Sequence, residues 1–125
     1  MGYNTVVRTL INVSRVGPGS FSALGSYVGL GNVREVCIHF EGSYAASAGT
    51  NARLDLFSAF AESPGSIGSK IGSIPIAVAS NSVKRALGTL PLALPMPFIV
   101  AKAFYNGGSA GLVNVKAQAI LRIDR

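Results

Sequence analysis

The feature that most constrains this chain is a two-residue alternation of side-chain character, sustained over whole segments and punctuated by Gly, Pro and Ser. No helical stripe competes with it. In the last third, Val113, Val115, Ala117, Ala119, Leu121 and Ile123 alternate with Asn114, Lys116, Gln118, Ile120 and Arg122. Successive side chains of a strand point to opposite faces, so this pattern directs one face into a core and the other outward. Upstream, Phe98, Val100, Lys102 and Phe104 alternate with Ile99, Ala101, Ala103 and Tyr105. Both sets are largely apolar, which predicts a strand buried on both faces. Between the two runs lies Asn106-Gly107-Gly108-Ser109-Ala110-Gly111, whose glycines permit the positive φ angles of a hairpin loop. The chain is therefore expected to end in a long antiparallel β-hairpin.

The same reading extends along the chain. Val36, Ile38 and Phe40 form one face of a strand from Val33 to Glu41, and Glu35, Cys37, His39 and Glu41 form its wet face. Gly42-Ser43 and Ser47-Ala48-Gly49-Thr50 read as turns, followed by a strand over Asn51 to Phe60. Thr5 to Val16 is rich in β-branched residues and is stopped by Gly17-Pro18-Gly19. A shorter apolar element occupies Phe21 to Leu30. Glu62 to Ser73 is rich in Gly and Ser and is expected to be a long exposed loop. Ile74 to Ala79 and Val83 to Leu90 read as short strands. Leu90 to Pro97 reads as an extended connection, because each proline biases the preceding residue away from helix. About seven or eight strands joined by Gly, Pro and Ser turns define an all-β chain, a single antiparallel β-sandwich or jelly-roll. Residues 1–125 are read as one domain, with residues 1–16 as an interface strand or arm.

Composition narrows the function classes. Of the 125 residues, 49% are apolar and 13% charged, about half the usual charged share, so part of the surface must be apolar or neutral. Such surfaces favour association with copies of the chain or with a partner. Eleven Lys and Arg against five Asp and Glu give a net charge of +6, which attracts an acidic surface. The basic residues are scattered, and only Lys84 and Arg85 are adjacent, so no tract marks dedicated nucleic-acid binding. Arg8, Lys70, Lys84 and Arg85 are the candidate contacts with a partner. Cys37 is the sole cysteine, which excludes an intrachain disulfide and a Cys-cluster zinc site. The N-terminus lacks a basic segment followed by an apolar one, so no signal peptide is expected. The apolar run Ala86 to Ala103 is interrupted by Pro91, Pro95 and Pro97, so no membrane span is expected either.

Candidate chemistry is sparse. His39, the only histidine, is expected on a polar strand face beside Glu41, without a second His for a metal. Ser43 or Cys37 with His39 and Asp55 would supply the residue types of a catalytic triad. There is no Gly-x-Ser-x-Gly elbow, and five acids offer no clear pair for glycoside cleavage. Gly65, Gly68 and Gly72 with Ser69-Lys70 lack the spacing of a phosphate-binding loop. The chain is therefore read as non-enzymatic, with no catalytic, metal or cofactor residues assigned. Tyr3, Phe21, Tyr27, Tyr44, Phe57, Phe60, Phe98, Phe104 and Tyr105 leave room for a sugar-stacking platform. A carbohydrate-binding β-sandwich module, extracellular, is thus the rival reading, with a glycan as ligand.

One arrangement carries a resemblance: Ala52-Arg53-Leu54-Asp55-Leu56-Phe57-Ser58, a Gly/Ser loop, Leu94-Pro95-Met96-Pro97-Phe98-Ile99-Val100, then Tyr105-Asn106-Gly107 and a Val-rich last strand. Over about residues 33–125 it resembles small β-sandwich virion proteins of tailed bacteriophages. The chain departs from them after Ser58, where Ala59-Phe60-Ala61-Glu62 stands in place of an Asp-Gly turn. The resemblance implies a capsid decoration, spike or tail-associated subunit located in the virion. It further implies a homo-oligomer that contacts the major capsid or another virion protein through strand edges, loops and terminal arms.

Overall fold

A computed structural model describes residues 3–17, 19–44, 52–76, 83–90, 97–105 and 112–124. The alternating segments form strands β1 (Tyr3–Val16), β2 (Ser20–Phe21), β3 (Val28–Gly29), β4 (Val33–Tyr44), β5 (Ala52–Ala59), β6 (Ile67–Ile76), β7 (Val83–Leu90), β8 (Phe98–Tyr105) and β9 (Leu112–Asp124). They pair antiparallel in two sheets. Sheet A has the order β1-β9-β4-β7, and sheet B runs β2-β8-β5-β6 with β3 also on β8. The short strands β2 and β3 meet opposite ends of β8, at Phe104 and at Ile99. Between them Ser22 N–H donates to Ala103 O and Gly25 N–H to Ala101 O, so they act as one interrupted edge strand. Counted that way, each sheet has four strands. The chain crosses between sheets at every connection except β5 to β6, the path of a jelly-roll.

The expected terminal hairpin is not formed. β8 and β9 lie in opposite sheets, each already flanked on both sides, β8 by β5 and the β2/β3 edge and β9 by β1 and β4. Alternation reports which face of a strand is buried, not which strand it hydrogen-bonds to, and both arrangements bury the same residues. The hairpin loop assigned to 106–111 lies outside the described residues, as do the turn at 47–50, Pro18, and residues 91–96 of the extended connection. Two further expectations change. Gly42 and Ser43 do not turn the chain: they continue β4 past an irregularity in its pairing with β9. Of the loop expected over Glu62 to Ser73, only the first part turns. There the Ser66 hydroxyl lies within hydrogen-bond distance of both Ala61 O (2.6 Å) and Ser63 O (2.7 Å), and Ser66 N–H donates to Ser63 O (3.0 Å), pinning a short 3-10 turn over Pro64–Ser66. From Ile67 the chain is an edge strand on β5. Its backbone pairing overrides the weak strand propensity of Gly68, Ser69, Gly72 and Ser73.

The core is built on size complementarity between neighbouring strands. In sheet A, Phe40 and Ile38 of β4 stand beside Ala117 and Ala119 of β9. In sheet B, Leu54 and Leu56 of β5 stand beside Ala103 and Ala101 of β8, and at the next core position Ala52 stands beside Tyr105. All of these are buried. Large beside small lets the two inner faces interdigitate without voids or forced rotamers. Ala52, Ala101, Ala103, Ala117 and Ala119 are therefore core residues.

A corner of the sandwich is closed by one glycine. β1 carries an extra residue, Leu10, between the pairs Thr9–Gln118 and Ile11–Ala117, so Leu10 and Ile11 are both buried. The Leu10 carbonyl accepts from Ser26 N–H (2.8 Å), and Gly25 lies so close that an added Cβ would sit 1.8 Å from the Leu10 oxygen. Gly25→Ala must push the segment off β1 and strain the bonds made by Ser26 and Gly25. It is expected to cost about 2–4 kcal/mol, read as a lower urea midpoint. Gly31→Ala, which meets nothing within 4 Å, serves as the control.

Candidate functional site

With the core filled, the charged groups among the described residues lie on the outer faces and edges, and the register assigns those of the outer faces to rows. On the outer face of sheet A, three strands contribute one residue each to four rows. These are Thr5–Arg122–Glu35, Val7–Ile120–Cys37, Thr9–Gln118–His39 and Asn12–Lys116–Glu41. Arg122 and Glu35 form an ion pair of 2.7 Å, and His39 Nε2 lies 3.5 Å from Glu41 Oε1. The second row is apolar and open: Val7 is 50% exposed, and Ile120 and Cys37 are half-buried. A shallow depression of about 260 Å³ lies between the first row and Ile120 and Cys37 of the second, bounded by Thr5, Glu35, Cys37, Ile120 and Arg122. At the other end, Asn12, Ser14, Glu41, Asn114 and Lys116 surround a polar cleft of about 340 Å³ floored by Val13. Asn114 is held there at φ 52°.

The outer face of sheet B is organised around a buried carboxylate. Asp55 is 2% exposed. It accepts from Arg53 Nε (3.0 and 3.2 Å to its two oxygens) and from the Ser73 hydroxyl, and Lys70 Nζ lies 3.8 Å away. Register explains the assembly: Asp55 pairs with Ser73 on one side and Lys102 on the other, and Arg53 shares its strand face two residues earlier. The Arg53 guanidinium also lies 4.4 Å from the Phe104 ring centre, and Lys102 Nζ 5.5 Å from that of Phe21. Phe21 and Phe104 pack with centres 4.7 Å apart. The rings are thus engaged by cations, a favourable quadrupole contact, while Phe21 keeps 47% of its surface exposed. Of the other aromatics, Tyr105 is buried and Phe60 exposed.

The four basic residues read as partner contacts lie on three strands. Arg8 is on edge strand β1, Lys84 and Arg85 are on the opposite edge strand β7, and Lys70 is on β6 of the other sheet. The side chains of Lys84 and Arg85 lie outside the described residues, although Arg85 pairs in register with Glu41. Arg8 stands opposite the buried Ala119, on the core-facing side of β1, yet is exposed. An inward-pointing charge on an edge strand blocks edge-to-edge pairing. The triad types do not meet: His39 is on the outer face of sheet A and Asp55 on that of sheet B. Among the described residues, no group of three His, Cys, Asp or Glu is placed to hold a metal, and no helix is long and apolar enough to cross a membrane. The sequence signal for the Asp55 cluster was Arg53-x-Asp55, opposite charges two apart on a strand and hence on one face. Asp55→Ala leaves Arg53 and Lys70 without their buried partner, and both reach solvent. The expected loss is therefore moderate, about 1–3 kcal/mol, measured by chemical denaturation.

No protein-family model matches the chain, and no curated protein sequence does. Among solved structures the fold is similar to the SPBc2 prophage-derived protein YomS, at TM-score 0.53 and 12% identity, over 98% of this chain and 96% of that one. It is similar to a family 6 carbohydrate-binding module from Clostridium cellulolyticum in complex with xylose, at TM-score 0.52 and 18% identity, over 91% and 85% of the two chains. It is also similar to the Eiger TNF of S. frugiperda, at TM-score 0.51 and 11% identity, over 98% and 93%. At these identities the likeness is one of fold: an all-β, two-sheet sandwich.

Proposed function

We propose that this chain is a non-enzymatic structural subunit that self-associates and docks on a virion surface, as a capsid decoration or other phage structural protein. The observation that carries the reading is the in-register apolar row Val7–Ile120–Cys37 on the outer face of sheet A, flanked by polar rows and left open on a chain of low charge. An apolar centre with a polar rim is the anatomy of a protein interface. Association through this face also fits a β1 edge that is blunted by a bulge and by Arg8. The cations Arg53, Lys70 and Lys102 on sheet B suit an acidic face of the major capsid or another virion protein. The fold likeness to a prophage-derived protein of nearly equal span supports the same setting.

Carbohydrate binding is the second reading. It is favoured by the polar cleft at Asn12, Lys116 and Glu41, and by the fold shared with a module solved with xylose.

Light scattering on the purified chain is expected to give a mass that is a small multiple of the protomer. Val7→Lys, at a half-exposed position where the fold tolerates a charge, is expected to shift it to monomer. A wild-type chain that stays monomeric at high concentration sinks the self-association reading.

A further inference from the structure

We propose that the cleft formed by Asn12, Ser14, Glu41, Asn114 and Lys116 on sheet A is a binding site for neutral saccharides, an inference that rests on the carbohydrate-binding reading above. Its position follows from the register. Asn12, Lys116 and Glu41 form one row across β1, β9 and β4, and Ser14 and Asn114 lie at the next outward positions of β1 and β9. Irregularities in both pairings border the row, between Thr9 and Ile11 and between Glu41 and Ser43. Bulges bend a strand and re-aim its side chains. Asn114 adds a left-handed conformation at φ 52° inside a strand, a cost of order 1–3 kcal/mol that persists only where surroundings hold it. The resulting volume of about 340 Å³ is at the small end of ligand pockets.

The donor set names the ligand class. Lys116 offers only donors and Glu41 only acceptors, while two amides and a hydroxyl offer both. Vicinal sugar hydroxyls, each a donor and an acceptor, match such an alternation. Glu41 and Lys116 cancel in charge, so the cleft as a whole offers no net attraction to an anion or a cation. Among the described residues, no aromatic lines the cleft to stack a base.

The test is an amide NMR titration of the whole chain with methyl glycosides of neutral hexoses and pentoses, with glucuronate as the anionic arm. Shifts at residues 12, 14, 41, 114 and 116 are expected with at least one neutral glycoside. Glu41→Gln is expected to weaken them about tenfold. Asn114→Gly removes the amide while relieving the left-handed backbone. It is expected to keep or raise the melting temperature and still lose about tenfold in affinity, which a merely structural Asn114 would not do. Shifts at Phe21, Arg53 and Phe104 instead overturn this site and leave sugar binding standing. Shifts with glucuronate alone overturn the neutral class. No shift with any probe overturns the site and the carbohydrate reading together, and leaves self-association untouched.

Discussion

The structure depends on one packing constraint: inside each sheet, a bulky core residue is neighboured by an alanine. Phe40 beside Ala117, Ile38 beside Ala119, Leu54 beside Ala103 and Leu56 beside Ala101 repeat the arrangement in both sheets, and Tyr105 beside Ala52 inverts it. Interiors pack as densely as organic crystals, so the two inner faces approach only where small side chains leave room for large ones. Because the centre is filled in this way, chemistry is displaced to the outer faces. Even Asp55, buried as it is, is held on the outer side of its sheet by Arg53, Ser73 and Lys70.

The two outer faces solve different problems. Sheet B binds its charges to one another, with a carboxylate under two cations and aromatic rings under Arg53 and Lys102. Such a network resists rearrangement, because removing a cation takes a partner from a carboxylate that is 2% exposed, although Arg53 and Lys70 themselves reach solvent. Sheet A distributes its residues in rows of unlike character. Its apolar row and its polar cleft are separated by the row that contains His39, which leaves room for a protein contact and a small polar ligand on one face. The edges are restrained from strand addition by different means, an inward-pointing Arg8 on β1 and Gly, Lys70 and Pro75 along β6.

Much of the candidate site was present in the sequence but not legible there. The pair Arg53 and Asp55 was visible as opposite charges on one strand face. Ser73 and Lys70 were hidden, because the Gly- and Ser-rich stretch that contains them has no strand pattern of its own and becomes a strand only by pairing with β5. The sheet A cleft was less visible still. Asn12, Glu41 and Lys116 come from segments far apart in the chain, and the extra residue Leu10 determines that Asn12, rather than Ile11, joins the outer row.

The strands and many of their faces were legible in the sequence: the period-two runs at 33–41 and 113–123 bury the residues that their alternation assigns to a core, and the lack of a helical stripe makes the chain all-β, whereas the strand at 98–105, expected to be buried on both faces, leaves Phe98, Lys102 and Phe104 half-buried on its outer side. Those are local properties, set by the pleat of a single strand. Only the tertiary structure decided which strands are neighbours. It placed β8 and β9 in opposite sheets rather than in a terminal hairpin, drew a Gly-rich stretch into an edge, and set large side chains beside Ala101, Ala103, Ala117 and Ala119. The reason is that hydrogen-bond partners and the fit of large to small side chains are properties of pairs of strands, and no single strand carries them in its own pattern.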